Sequence, residues 1–183
     1  MAIKSTIYKA SLQIANMDRG YYGDHSLIIA RHPSETDERM MMRVLAFALN
    51  ADEALAFGKG LSDEDEPDLW QKDLTGAIEK WIEVGQPDDK RLLKASGRSD
   101  QVLLYCYSST CDIWWKQIAG KVERARNLCV MKVPSGASME LAALAQRTMQ
   151  LQCTVQDGQI WLGDGEKVVQ LELITLKDFN PQR

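Results

Sequence analysis

The chain has 183 residues, of which 45% are hydrophobic and 26% are charged, and its formal net charge is −4. That length and composition predict one soluble domain over residues 1–183, and the acidic balance gives no general attraction to nucleic acid, although a local basic patch could still bind it. No apolar run approaches the roughly 20 residues that a membrane span requires, and residues 1–15 lack a signal-peptide core, so we expect a cytoplasmic protein without membrane contact.

The first predicted element is an antiparallel hairpin. Residues 3–15 alternate between polar and apolar side chains, which is typical of a half-buried strand. Asp18-Arg19-Gly20 supplies a turn, and residues 24–31 form the second strand.

A long helix is predicted next. Ser34 followed by acidic residues is typical of a helix N-terminus, and Gly58 is typical of a C-terminus, so the pattern predicts a helix over residues 35–57. Within it we expect Met40, Met41 and Met42 to fill the core rather than to bind a metal.

The middle of the chain alternates between strands and helices. Residues 58–77 are rich in glycine and acids and predict a solvated loop, except that apolar residues follow Pro67-Asp68 at once and would anchor it. Residues 78–84 predict a strand, residues 87–97 a helix beginning at a proline, and residues 102–107 a strand buried on both faces.

The C-terminal half predicts a helix over 112–126, a strand over 128–133, a helix over 134–147 and then an antiparallel meander. The fold class that follows is α/β, with a mixed central sheet flanked by helices, an N-terminal hairpin and a C-terminal antiparallel meander.

The spacing of the cysteines and of the glycines argues against several kinds of metal and nucleotide site. None of Cys106, Cys111, Cys129 and Cys153 has C-x-x-C spacing, so we expect buried, reduced thiols and no zinc or iron–sulfur site. Because no P-loop or G-x-G-x-x-G motif occurs, no nucleotide or flavin cofactor is expected.

The candidate site combines two acids with basic residues. Glu83 lies in an apolar strand, which is unusual because an unpaired buried charge is costly. Together with Asp68 it offers the oxygen ligands that Mg²⁺ or Mn²⁺ prefers. Lys94, on one side of a basic helix, is the expected catalytic cation that would stabilise developing charge on a phosphate.

Further residues could complete such a site. Glu38, on the first predicted helix, would add an outer carboxylate. Arg91, His32 and Gln86 are the candidate contacts to phosphate or substrate.

Each of these residues also has a structural interpretation. Glu83 could form an ion pair with Arg91, Lys94 or Arg43, and Asp68 could cap a turn. The basic side of the helix could be a solvated face. These alternatives remain open at the level of sequence.

Four stretches of the chain resemble the bacterial YaeQ family: RHPSETDERMMMRVLAFALNADE, EPDLW, WIEVGQPDDKRLLKA and RTMQLQCTVQDGQIWL. The resemblance covers essentially the whole chain. That family is similar in fold to the PD-(D/E)XK nuclease superfamily, in which a sheet flanked by helices carries a metal site. The resemblance therefore implies a restriction-endonuclease-like fold.

The superfamily motif can be placed on this chain residue by residue. Pro67-Asp68 matches its PD, Glu83 its (D/E), and Glu38 the acid often found on the first core helix. The superfamily lysine should follow Glu83 by two residues, where this chain has Gly85. Lys94 is the residue that the resemblance offers as its replacement.

Two functions follow from these observations. One is a Mg²⁺-dependent phosphodiesterase that acts on nucleic acid, which the intact acids favour. The other is a non-catalytic binding or regulatory module that keeps the nuclease-like fold, which Gly85 and the acidic net charge favour. A structural ion-pair cluster with function elsewhere is a third reading.

Overall fold

The computed structural model describes residues 4–180 and has two mixed β-sheets and four α-helices in that part of the chain. The strands are β1 (Thr6–Asn16), β2 (Tyr21–Arg31), β3 (Leu55–Phe57), β4 (Leu69–Lys72), β5 (Ile78–Val84), β6 (Ser99–Cys106), β7 (Leu128–Lys132), β8 (Thr148–Gln156), β9 (Gln159–Gly163), β10 (Val168–Glu172) and β11 (Ile174–Lys177). The helices are α1 (Asp37–Asn50), α2 (Asp89–Arg98), α3 (Cys111–Val122) and α4 (Ser135–Ala142). None of these helices is long and apolar enough to cross a membrane.

The chain forms two compact units. The first comprises the chain up to Ala51 together with Gly136–Leu173, and the second comprises Asp52–Ser135 together with the chain from Ile174 onwards. Compactness does not establish independent folding. The single domain predicted for residues 1–183 therefore stays a prediction.

The first unit contains a five-stranded sheet in the order β10-β9-β8-β1-β2. The predicted hairpin is confirmed, because β1 and β2 pair antiparallel with Leu12 opposite His25. The predicted meander is confirmed for β8, β9 and β10. Parallel pairing of β1 with β8 joins the hairpin to the meander, so together they form a sheet of their own. The predicted start of the first strand at residue 3 lies outside the described residues.

Helix α1 begins later and ends earlier than predicted. Its N-cap is Thr36, not Ser34, and the Thr36 hydroxyl accepts a hydrogen bond from the backbone N–H of Arg39. The helix ends at Asn50, whose side chain turns back to the Ala46 carbonyl. The core prediction for Met40–Met42 is confirmed, since all three side chains are fully buried.

The second unit contains a six-stranded sheet in the order β11-β7-β6-β5-β4-β3. Its centre, β5-β6-β7, is parallel, and its edges are antiparallel. Residues 55–57 were predicted to end a helix but form β3, paired with β4 inside the predicted loop. The last strand, β11, does not continue the meander but pairs with β7.

Helices α2 and α3 supply the apolar side chains that cover the parallel strands of the second sheet. The buried cluster contains Trp81, Leu92, Ala95, Val102, Leu104, Cys106, Cys111, Trp114, Ile118, Val122, Ala125, Leu128 and Val130. Through Leu92 and Ala95 this core holds α2 against the sheet, and it therefore fixes the position of the basic residues on α2.

The prediction of four reduced cysteines is wrong for two of them. Cys106, at the end of β6, and Cys111, at the start of α3, form a disulfide, and both are buried. The two cysteines are separated by five positions in the sequence, and the short connection between β6 and α3 brings their side chains together. A search for C-x-x-C spacing does not detect such a pair. Cys129 and Cys153 are free and buried as expected, and burial raises their pKa values to about 11 and about 12.

Candidate functional site

Asp68 and Glu83 lie opposite each other at one end of the β4–β5 ladder. The antiparallel register pairs Leu69 with Ile82, and one further step along it places Asp68 across from Glu83. Each residue is only 3% exposed. Asp68 Oδ2 accepts a hydrogen bond of 2.9 Å from the backbone N–H of Val84, which fixes the Asp68 carboxylate beside β5. The two predicted metal ligands are therefore brought together.

The two oxygens of Glu83 have different surroundings. Arg91 Nε donates to Oε1 at 2.6 Å, and Arg91 is thus the ion-pair partner among the three that the sequence left open. Among residues 4–180, Oε2 is buried and has no hydrogen-bond partner. The indole N–H of Trp81, on the same face of β5, is also buried and has no hydrogen-bond partner among the described residues, although its proximity lowers the pKa of Glu83. One carboxylate oxygen is therefore left for another ligand.

Burial raises the pKa of Glu83 above its ordinary value, and the nearby Asp68 charge raises it further. The hydrogen bond and the positive charge of Arg91 lower it and offset part of that effect. A carboxyl group held in this way binds a proton more readily than an exposed one.

Glu83→Gln is expected to change how the stability of the protein depends on pH. Folding raises the pKa of Glu83 from 4.5, so the folded state holds this proton more tightly than the unfolded chain. The contribution of Glu83 to stability is therefore fully present when the pH is below the ordinary value of 4.5, and it is lost as the pH rises through the raised pKa. Urea unfolding at a series of pH values should show wild-type stability falling relative to Glu83→Gln with rising pH. A constant difference would contradict the raised pKa.

Arg91 and Lys94 are both engaged with the acidic segment, which we define as Asp63–Glu66. Arg91 donates to the carbonyl oxygens of Glu64 at 2.7 Å and Glu66 at 3.2 Å. Lys94 Nζ lies 3.2 Å from Asp65 Oδ1, and its side chain is 62% exposed. The proposed catalytic lysine is thus paired with the acidic segment.

Two glycines that the sequence analysis did not assign to the site hold Pro67-Asp68 in place. A Cβ atom on Gly58 would lie 2.2 Å from the Pro67 carbonyl oxygen, and one on Gly60 would lie 2.6 Å from Asp68 Oδ1. Gly60 also has φ +51°, which favours glycine. The backbone N–H of Gly58 donates to the Asp68 carbonyl oxygen at 2.9 Å. The signal in the sequence is a Gly-x-Gly pattern shortly before the Pro-Asp pair.

The end of β5 explains why no lysine follows Glu83 by two residues. Gly85 has φ +111°, a conformation in which a lysine would be strained. The next residue, Gln86, donates through Nε2 to Ser108 Oγ at 3.2 Å and to Thr110 Oγ1 at 2.9 Å. Gln86, a predicted substrate contact, thus ties β5 to the connection between β6 and α3.

Glu38 and His32 belong to the first unit. The carboxylate of Glu38 accepts a hydrogen bond of 3.1 Å from the buried Ser138 hydroxyl. His32 Nδ1 lies 2.7 Å from Ser34 Oγ, on the exposed connection before α1. Their roles as outer carboxylate and substrate contact stay predictions.

The donor set near Glu83 fits some cations better than others. Within residues 4–180, no group of three or more His, Cys, Asp or Glu side chains is placed to hold a metal. Zinc usually takes three or four such ligands. Mg²⁺ is commonly bound by one or two carboxylates plus water and phosphate oxygens. Two buried carboxylates with one unpaired oxygen therefore fit a hard divalent cation.

Residues 1–173 of the chain match the family model described as "YaeQ protein". Among curated relatives, "Uncharacterized protein YaeQ" of Salmonella typhi is 45% identical over 174 residues, which is 94% of this chain and 96% of the relative. The protein of the same description from Escherichia coli (strain K12) is 44% identical with the same coverage.

Two crystal structures have the same fold. The YaeQ protein from Xanthomonas axonopodis pv. citri superposes with a TM-score of 0.91 at 46% identity, over 94% of this chain and 98% of that one. The YaeQ protein from Pseudomonas syringae gives a TM-score of 0.92 at 37% identity, over 97% and 98%.

Proposed function

We propose that this chain, which belongs to the YaeQ family, holds a divalent cation between Asp68 and Glu83 and hydrolyses phosphodiester bonds of nucleic acid. Membership of that family was predicted from the sequence and is confirmed. The relation to PD-(D/E)XK nucleases stays part of the proposal. The observation that supports it best is the buried Glu83 Oε2, which has no hydrogen-bond partner among the described residues and lies beside a second buried carboxylate.

Asp68 and Glu83 would hold Mg²⁺ or Mn²⁺, and the bound cation would supply Lewis acidity towards phosphoryl oxygens. The ion pair with Arg91 keeps Glu83 oriented while leaving Oε2 available. The hydrogen bond from Val84 keeps Asp68 oriented in the same way.

The cations of α2 would bind phosphate next to that site. Lys94, Lys90 and Arg98 line one cleft with Trp81, which lies two residues before Glu83 on the same face of β5. For Lys94 to stabilise a phosphoryl group it must exchange the Asp65 carboxylate for the substrate. Exposed ion pairs of this kind are weak, so the exchange is inexpensive.

The contacts that Arg91 and Lys94 already make favour a second function, that of a non-catalytic binding or regulatory module. Because Arg91 contacts Glu83 and Lys94 contacts Asp65, neither of these two cations is poised for catalysis without rearrangement. A binding or regulatory module with the same fold would tolerate this arrangement. Such a module would bind the cation and nucleic acid without cleaving it.

Calorimetric titration of Mn²⁺ into the protein tests the cation site. We expect Asp68→Asn and Glu83→Gln each to weaken binding by at least about tenfold, because each removes a charged ligand and preserves side-chain shape. Asp65→Asn is the matched control, since it removes one exposed carboxylate outside the proposed ligand set. Unchanged binding in Asp68→Asn/Glu83→Gln, or no binding by the wild type, would refute the site.

Cleavage assays then separate the two functions. Wild type and Asp68→Asn/Glu83→Gln would be incubated with Mg²⁺ or Mn²⁺ and with single-stranded and duplex DNA and RNA. Cleavage that the double variant lacks supports the phosphodiesterase. Cation binding without cleavage of any substrate supports the binding module.

A further inference from the structure

The acidic segment lies along the basic face of α2, which we define as Lys90, Arg91, Lys94 and Arg98. Four contacts join them: Arg91 to the Glu64 and Glu66 carbonyls, Lys94 to the Asp65 carboxylate, and Arg98 to the Asp65 carbonyl at 3.4 Å. The segment thus presents acceptors from successive residues to cations that recur along one helix. It occupies the surface that a chain of phosphates would use.

The contacts that hold the segment are weak ones for such cations. Both arginines bind peptide carbonyls, which are neutral acceptors, although guanidinium groups bind phosphate and carboxylate more strongly and in a bidentate manner. The side-chain ion pair between the segment and the basic face joins Lys94 and Asp65, which are 62% and 73% exposed, and Glu66 of the segment also pairs with Lys59 at 3.8 Å. Exposed pairs contribute little, so a ligand with charged acceptors can displace the segment.

The geometry of the basic face suits a nucleic-acid backbone. From Arg91 to Arg98 the helix rises by about 10 Å, over which one strand of DNA presents about three phosphates. Between the segment and α2 lies a cleft of about 390 Å³ whose lining includes Glu64, Asp65 and all four residues of the basic face. That volume is within the range of small-ligand sites, so a phosphate group has room to enter.

We propose that the acidic segment is a built-in competitor that covers the basic face until the phosphate backbone of a nucleic acid displaces it. The inference rests on the proposed function for the identity of the partner, and it adds how access to the site is regulated. It also accounts for a protein with net charge −4 that keeps four basic residues together on one short helix.

Fluorescence anisotropy with labelled single-stranded and duplex oligonucleotides tests this, with EDTA present so that no cation contributes. Glu64→Gln/Asp65→Asn is expected to bind roughly five- to tenfold more tightly than wild type at about 0.15 M salt, because local charges act within a Debye length of about 8 Å. Glu53→Gln/Glu166→Gln, which removes two exposed acids elsewhere, is the control of equal net charge. We expect it to change affinity by less than about twofold.

Removing cations from the basic face is the complementary change. Lys94→Gln/Arg98→Gln in the Glu64→Gln/Asp65→Asn background should abolish the gain. Lys116→Gln/Lys121→Gln, on exposed positions of α3, should leave it. Arg91 stays unchanged because it also holds Glu83.

If Glu53→Gln/Glu166→Gln gained as much oligonucleotide affinity as Glu64→Gln/Asp65→Asn, the acidic segment would not be a competitor. The same conclusion would follow if the affinity did not depend on Lys94 and Arg98. Absence of oligonucleotide binding in every variant, or binding only to vesicles containing phosphatidylserine, would overturn the nucleic-acid partner. Because the oligonucleotide assay contains EDTA, its outcome is independent of Mn²⁺ binding at Asp68 and Glu83. If the wild type fails to bind Mn²⁺ but Glu64→Gln/Asp65→Asn still gains oligonucleotide affinity, only the proposed function is refuted. If the wild type binds Mn²⁺ but that variant gains no affinity, only this inference is refuted.

Discussion

Glu35→Ala is expected to destabilise the protein by about 3–5 kcal/mol, because it leaves a buried guanidinium without its carboxylate. Arg43, which is 6% exposed, donates through Nε to Glu35 Oε2 at 3.0 Å and through a second nitrogen to Oε1. Arg39 adds a bond of 2.6 Å to Glu35 Oε2. Urea unfolding followed by circular dichroism measures the loss. Glu35 directly precedes Thr36, the N-cap of α1, and its carboxylate holds Arg39 and Arg43 of that helix.

Asp37→Ala is the control for Glu35→Ala. Asp37 pairs with Arg31, but both side chains are partly exposed, so its removal should cost no more than about 1 kcal/mol. In Glu35→Leu/Arg43→Met, both charges are replaced by apolar groups, and we expect most of the lost stability to return. A loss below about 1 kcal/mol in Glu35→Ala would show that the network contributes no more than a surface pair.

The parts of the fold that were predicted correctly are those in which local pattern and tertiary environment agree. The strand over 78–84 was predicted at its observed bounds because its apolar residues lie between the turn glycines Gly76 and Gly85. The C-terminus of α1 was missed because the apolar pattern continues through LNADEALAF, and nothing local reveals that Leu55–Phe57 pairs with Leu69–Lys72. Within α3, Ile113 is exposed while its neighbour Trp114 is buried, and two adjacent apolar residues give no local sign of which one faces the core.

The site shows the same limit. Glu83 could be singled out because a carboxylate in an apolar strand needs a partner, and Asp68 because apolar residues anchor it. The sequence could not choose among Arg91, Lys94 and Arg43, since that depends on how α2 packs after β5. Gly58 was assigned to a helix terminus, because close backbone approach leaves no signal beyond the glycine itself.

Gly58→Ala is expected to destabilise the protein by about 1–3 kcal/mol, the usual cost of forcing atoms into a packed site. Its Cβ would lie 2.2 Å from the Pro67 carbonyl oxygen, which belongs to backbone and cannot rotate away as a side chain would. Relief of that contact must move Pro67-Asp68 away from Gly58. The Asp68 carboxylate, held by the N–H of Val84, would then lose its position, so Mn²⁺ binding should weaken as well.

Gly97→Ala is the matched control for Gly58→Ala, because a Cβ on Gly97, inside α2, would meet nothing within 4 Å. It should stabilise the protein by roughly 0.5–1 kcal/mol through its effect on the unfolded chain, and leave Mn²⁺ binding unchanged. Calorimetry and urea unfolding of both variants give the comparison. If Gly58→Ala lost stability but bound Mn²⁺ as the wild type does, the position of Asp68 would not depend on Gly58. If it lost neither, the close approach to Pro67 would itself be wrong.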